Sequence, residues 1–123
     1  MNTWVSNALA GVHTETDEQR LALDFYNKSI EKARECLGSD IDLDITVSGH
    51  SNAGNLAEYV TIAYNGDDNN KVDNCVAFDA PGFSTWFLDY YSAEIAERAE
   101  IIFDISKRKI TRIIRKRTKT AEK

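Results

Sequence analysis

Gly49-His50-Ser51-Asn52-Ala53-Gly54 is the stretch whose residue types and spacing could do chemistry. A β-branched run, Ile45-Thr46-Val47, leads into it, and Leu56 and Ala57 open a helical pattern after it. This spacing predicts a nucleophile elbow: a strand, a sharp turn with Ser51 at its apex, then a helix. Such a turn lifts a hydroxyl out of the sheet, and the helix N-terminus beneath it favours a developing negative charge. The chemistry would be attack of Ser51 on a carbonyl carbon. The usual spacing is G-x-S-x-G. Here Ala53 holds the second glycine position and Gly54 comes one residue later. A methyl group is small enough for close helix–strand packing to survive.

Asp79-Ala80-Pro81-Gly82-Phe83 is a second loop signal, placed at the end of another apolar run. A serine hydroxyl needs a base to be a good nucleophile at neutral pH. The only histidines are His13 and His50, and none follows His50. His50 reads as a structural neighbour of the turn. Cys36 and Cys75 read as two reduced, largely buried thiols, since two cysteines make no disulfide framework. No metal site and no cofactor is expected, because ligands at zinc spacing are missing.

The elements that must position these residues follow from periodicity. Leu21, Ala22, Phe25, Ser29 and Ala33 recur at helical steps between Thr16 and Leu37. Thr14 or Thr16 can cap that helix, Asp17 and Glu18 suit its first turn, and Gly38 stops it. Residues 42–48 alternate and predict a strand, 52–64 a helix, and 71–78 a second strand. Residues 86–98 predict a helix with the aromatic cluster Trp86, Phe87, Tyr90 and Tyr91, and 100–105 a third strand. Such an order predicts an α/β fold with a short, mainly parallel sheet and right-handed crossovers. Sites in these sheets lie beyond the C-terminal strand ends, where Ser51 and Asp79 both fall.

At 123 residues and 42% hydrophobic content, the chain suits one domain. No apolar run approaches the roughly 20 residues that cross a bilayer. No signal peptide is visible, so a cytoplasmic location is expected. Residues 107–123 hold nine Lys/Arg and one Glu, net +8, while residues 1–106 carry −13. The expected division is a core over 1–106 and a basic tail over 107–123. Tail arginines lack interleaved aromatics, so nucleic acid is not an expected partner. Ile110, Ile113 and Ile114 give the tail an apolar component, readable as helix or strand.

Ser48-Gly49-His50-Ser51 with Gly54-Asn55-Leu56-Ala57, followed by Ala77-Phe78-Asp79-Ala80-Pro81-Gly82-Phe83, resembles the lipase-like α/β-hydrolases, in particular a bacterial branch. Trp4, Asn7, Gly11, Gln19 and Ala22 suit the same branch. The resemblance implies a partial α/β-hydrolase fold, with the front strands and a C-terminal histidine segment missing. It implies Ser51 as nucleophile, the Asn52 N–H as oxyanion donor, and Asp79 or Asp104 as acid. Gly49, His50, Ala53 and Gly54 would complete the elbow. The implied function is carboxylic ester hydrolysis of a small ester or lipid through an acyl-enzyme, incomplete or inactive in this chain. The alternative is a non-catalytic binding or assembly module, pairing with another copy or with the missing segments.

Overall fold

A computed structural model describes residues 15–106. The expectations placed on Trp4, Asn7, Gly11, His13 and the 107–123 tail lie outside them. Helix α1 spans Asp17–Leu37. Thr16 caps it in a reciprocal box: the Gln19 N–H donates to Thr16 Oγ1 (3.2 Å), and the Thr16 N–H donates to Gln19 Oε1 (3.0 Å). At the other end Gly38 takes a φ of 108° and its N–H donates to the Arg34 carbonyl. A positive φ explains glycine at this stop.

Three strands follow, β1 (Thr46–His50), β2 (Asn74–Phe78) and β3 (Ile102–Ile105). They form one parallel sheet in the order β1-β2-β3, with Val47 opposite Cys75 and Cys75 opposite Ile102. Helix α2 (Asn52–Ala63) connects β1 to β2. Helices α3 (Thr85–Tyr90) and α4 (Ser92–Arg98) connect β2 to β3. A short parallel three-stranded sheet with flanking helices is therefore an α/β arrangement. The larger hydrolase fold is not what these residues show.

The strands start later than alternation predicts. At the entry to β1 the Asp73 carboxylate accepts the Ile45 N–H (2.7 Å), and the Ile45 carbonyl takes the Asp73 and Asn74 N–H groups. Side-chain and turn bonds thus replace the ladder before Thr46. The predicted helix over 86–98 is two helices meeting at Tyr91 (φ −99°, ψ 21°). That break turns both Phe87 and Ile95 into the core. Phe87 stacks on Phe83 with ring centroids 4.2 Å apart, whereas Trp86 and Tyr90 stay exposed. Cys75 is buried as expected, but Cys36 is exposed, because it lies on the solvent side of α1.

The core is one cluster around Tyr59, Ile62, Val72, Cys75, Phe87 and Ile102. Helix α1 runs antiparallel to the strands. Its start is tied to the head of α2 by Gln19 Nε2 donating to Asn55 Oδ1 (3.1 Å). Its end is tied to the turn before β2 by Arg34 Nε donating to Asn70 Oδ1 (2.9 Å).

Candidate functional site

Ser51 sits at the turn from β1 into α2 with φ 58° and ψ −125°. That is a costly conformation for a residue with a Cβ, of order 1–3 kcal/mol, and it recurs at functional sites. Its N–H still reaches across the sheet to the Phe78 carbonyl (2.8 Å), so the turn begins only after the ladder is satisfied. Asp79 repeats the device one strand over: its φ is 52°, and its N–H donates to the Ile105 carbonyl (2.7 Å). Ser51 and Asp79 are thus neighbours on an exposed rim at the C-terminal ends of β1 and β2.

The glycines explain the local sequence. A Cβ on Gly49 would stand 2.3 Å from the Ala53 carbonyl oxygen, an overlap that no side chain can relieve. A Cβ on Gly54 would meet Ala80 Cβ and the Gly49 oxygen, both at 3.0 Å. Gly54, one residue later than the usual spacing, therefore provides the close helix–strand approach, and Ala53 is left exposed. Asn52 is the first residue of α2, while the Gly54 and Asn55 N–H groups donate to the Ser51 carbonyl. His50 is exposed on the open face of β1.

The structure separates the two candidate acids. Asp104 lies on the covered face of β3 and is buried, away from the exposed rim that carries Ser51 and Asp79. Glu58 is buried with it, and both press on Cys75. Burial pushes the Cys75 thiol up to about 12; a hydrogen bond from Thr61 opposes this, and the charges of Glu58 and Asp104 reinforce it. Cys75 is accordingly an inert thiol rather than a nucleophile.

Several polar anchors have roles that the sequence reading did not assign. Asn55 is buried, and its Nδ2 donates to the Pro81 carbonyl (3.1 Å) while its Oδ1 accepts from Gln19. One amide therefore joins α1, α2 and the Pro81-Gly82 loop. The Glu15 carboxylate accepts from the hydroxyls of both Tyr59 and Tyr91. Burial is the first reason both phenols sit well above their ordinary value, and the Glu15 carboxylate adds to it. Arg98 Nη2 donates to the Val72 carbonyl and its Nε to the Thr61 carbonyl, fastening α4 beneath the sheet. Among the described residues no group of three or more His, Cys, Asp or Glu could hold a metal ion. No helix among them is long and apolar enough to cross a membrane.

A further surface lies beside the turn. α1 and the edge of β1 that no described strand pairs line an apolar groove of about 450 Å³. Phe25, Ile30, Val47, Leu56 and Val60 are among its lining residues. In β1 the Ser51 N–H and the Ile45 carbonyl face β2. By strand alternation the N–H and C=O groups of Thr46, Ser48 and His50 point away from β2, and Thr46 and Ser48 line the groove.

One comparison with known proteins is decisive: the family model described as Mbeg1-like matches residues 3–109. The chain belongs to the Mbeg1-like family. No curated protein and no solved structure matches it. The Mbeg1-like family is a different one from the lipase-like α/β-hydrolases, and no hydrolase family matches. That overturns the hydrolase resemblance, and with it the lipase and esterase labels and ester hydrolysis through an acyl-enzyme at Ser51. The physical reason is that a small-residue strand-to-helix turn is a local steric solution. It reports crowding at that turn and does not by itself define a function.

Proposed function

We propose that this Mbeg1-like chain is an assembly module that receives a strand from a partner polypeptide along the edge of β1 that no described strand pairs. The observation that carries the reading is the groove beneath α1, with Thr46 and Ser48, whose N–H and C=O groups point away from β2, among its lining residues. A sheet edge of this kind is a template for strand addition. The direction follows from the existing topology. β1, β2 and β3 are parallel and in sequence order, and α1 runs antiparallel to them. A right-handed unit ending in β1 places its other strand under α1, parallel to β1.

The partner's chemistry follows from the groove and its mouth. Apolar walls select β-branched side chains. Asp40, Asp42 and Asp44 are exposed just before β1, where the incoming strand begins, so its N-terminal end carries Lys or Arg. Its C-terminal end reaches the rim, where Ser51 and Asp79 offer polar contacts. An antiparallel β1–β1 pairing of two copies is a poor alternative, because it brings both α1 helices over the same edge.

The test is residue-resolved hydrogen exchange with a synthetic strand of two lysines followed by alternating Thr, Val and Ile. Bound strand should slow exchange of the Ser48 and His50 amides at least tenfold and leave Val47 and Gly49 unchanged. Equal Ser48 and His50 rates with and without millimolar peptide would sink the reading.

A further inference from the structure

The polar turn between α2 and β2 holds a different kind of chemistry from the groove. Asn65-Gly66 is the one place in the chain where asparagine precedes glycine. Asparagine is thermolabile because its own backbone can attack it. The next residue's amide nitrogen reaches Cγ when nothing holds either group and no Cβ hinders the approach. Both conditions are met here. Asn65 and Gly66 are exposed, and among the described residues neither the Asn65 side chain nor the Gly66 N–H has a hydrogen-bond partner. The same loop supplies its own controls. After Asn69 the Asn70 N–H donates to the Asp67 carbonyl (2.9 Å), and after Asn70 the Lys71 N–H donates to the Asp68 carbonyl (3.3 Å). Asn27, Asn52 and Asn55 lie in helices and Asn74 in a strand, where regular dihedrals hold the next nitrogen away from Cγ.

We propose that Asn65-Gly66 is a self-modifying site, which converts Asn65 to isoaspartate and thereby loosens the anchorage of the C-terminal end of α1. The Gly66 nitrogen attacks Asn65 Cγ and closes a cyclic imide. The Cγ–Nδ2 bond breaks, and ammonia leaves with the Gly66 proton. Water then opens the imide. Attack at Cγ gives aspartate; attack at the main-chain carbonyl gives isoaspartate, whose backbone is one carbon longer. The turn is where α1 is tied down. Arg34 Nη2 donates to the Asn69 carbonyl (3.0 Å) and its Nε to Asn70 Oδ1 (2.9 Å), and the Tyr26 hydroxyl donates to the Asn70 carbonyl. On the other side of Asn65, Tyr64 is fixed: its N–H donates to the Val60 carbonyl (3.0 Å), and its ring meets Tyr26 edge-on with centroids 5.2 Å apart. An extra main-chain carbon between these fixed points shifts one against the other. Glycine is kept here by packing, since a Cβ on Gly66 would overlap the Tyr64 hydroxyl. α1 also walls the groove beside β1, so its anchorage bears on the width of that groove.

Incubation of the intact chain in mildly alkaline buffer at body temperature, followed by peptide mapping, tests the chemistry. Asn65 should convert at least tenfold faster than Asn69, Asn70 or Asn74, with isoaspartate the larger product. Gly66→Ala should slow the conversion at least tenfold. Asn65→Gln, whose longer side chain closes a less favourable ring, is the unmodified reference for the anchorage. Against it, amide exchange at residues 34–37, the last turn of α1, should be at least threefold faster in the aged protein. Asn65→Asp carries the charge without the extra carbon and should match the reference. Conversion of Asn65 no faster than that of Asn69 and Asn70 overturns the site. Unchanged exchange in the aged protein, or equal acceleration in Asn65→Asp, overturns the role given to the isoaspartate backbone. None of these readouts involves strand addition at β1.

Discussion

The two faces of one sheet differ more than any two elements of this molecule. On the covered face Cys75, Ala77, Ile102 and Asp104 are each no more than 2% exposed. On the outer face their immediate chain neighbours Phe78, Phe103 and Ile105 are near 40%. Both sets are largely apolar, so hydrophobicity does not separate them. Coverage does: α2, α3 and α4 all return to the same face, because right-handed crossovers in a β1-β2-β3 order leave no other choice. An apolar residue in a short parallel sheet is therefore an offer of burial, and connectivity decides whether the chain takes it up.

The sharpest way to break that contrast is a matched pair of truncations. Ile102→Ala opens a cavity under α2 and should cost about 2–4 kcal/mol of unfolding free energy. Phe103→Ala, one residue away, should cost less than about 1 kcal/mol, as measured by urea denaturation. Equal losses would mean that the two faces are buried alike. Next in size is the turn from β1 into α2. Gly49→Ala forces a Cβ into the Ala53 backbone and should cost about 1–3 kcal/mol. Gly54→Ala, whose contacts can give by a few tenths of an ångström, should cost less.

A third comparison uses pH. The Cys75 thiol is raised from 9.0 to about 12, mainly by burial. The neutral thiol is the form the fold favours. Its contribution is complete below pH 9 and is lost as pH rises towards 12, by about 1 kcal/mol at pH 10. Cys75→Ala should flatten that slope between pH 9 and 10, after allowance for its own packing loss. Exposed Cys36 should react with a thiol reagent at once, whereas Cys75 should react only on unfolding. The smallest effect is expected at the rim. Ser51→Gly removes the strain of a positive φ and should raise stability by about 0.5–1 kcal/mol. A decrease would show that the Ser51 side chain makes contacts that outweigh the strain.

Much of the scaffold was legible before the fold. Thr14 or Thr16 with Asp17 and Glu18 announced a capped helix, Gly38 its end, and the alternation before Ser48 a strand. Each of these signals is local, and the matching structure is within four residues. The strand-to-helix turn at Ser51 was legible for the same reason, and so was its place at the C-terminal end of a parallel sheet. Its reading as a hydrolase site failed because crowding at a turn constrains glycine positions without fixing a reaction. The groove under α1 was not legible, since Phe25 and Val60 are apolar in any amphipathic helix until a strand edge is set between them. Glu15 holding two phenols was equally hidden, because its partners lie 44 and 76 residues away.

By itself the sequence determined what short-range sterics and periodicity can encode: the first two helices, the place and chain order of the strands, and a turn that requires Gly49 and forces Ser51 into a strained backbone. Tertiary structure alone decided which apolar residues became core and which remained surface. It buried Asp104 and left Asp79 on the rim, it exposed Cys36 and sealed Cys75, and among the described residues it left one edge and one face of the sheet uncovered. Those outcomes depend on which helix returns over which strand, a relation between distant residues that no local pattern contains.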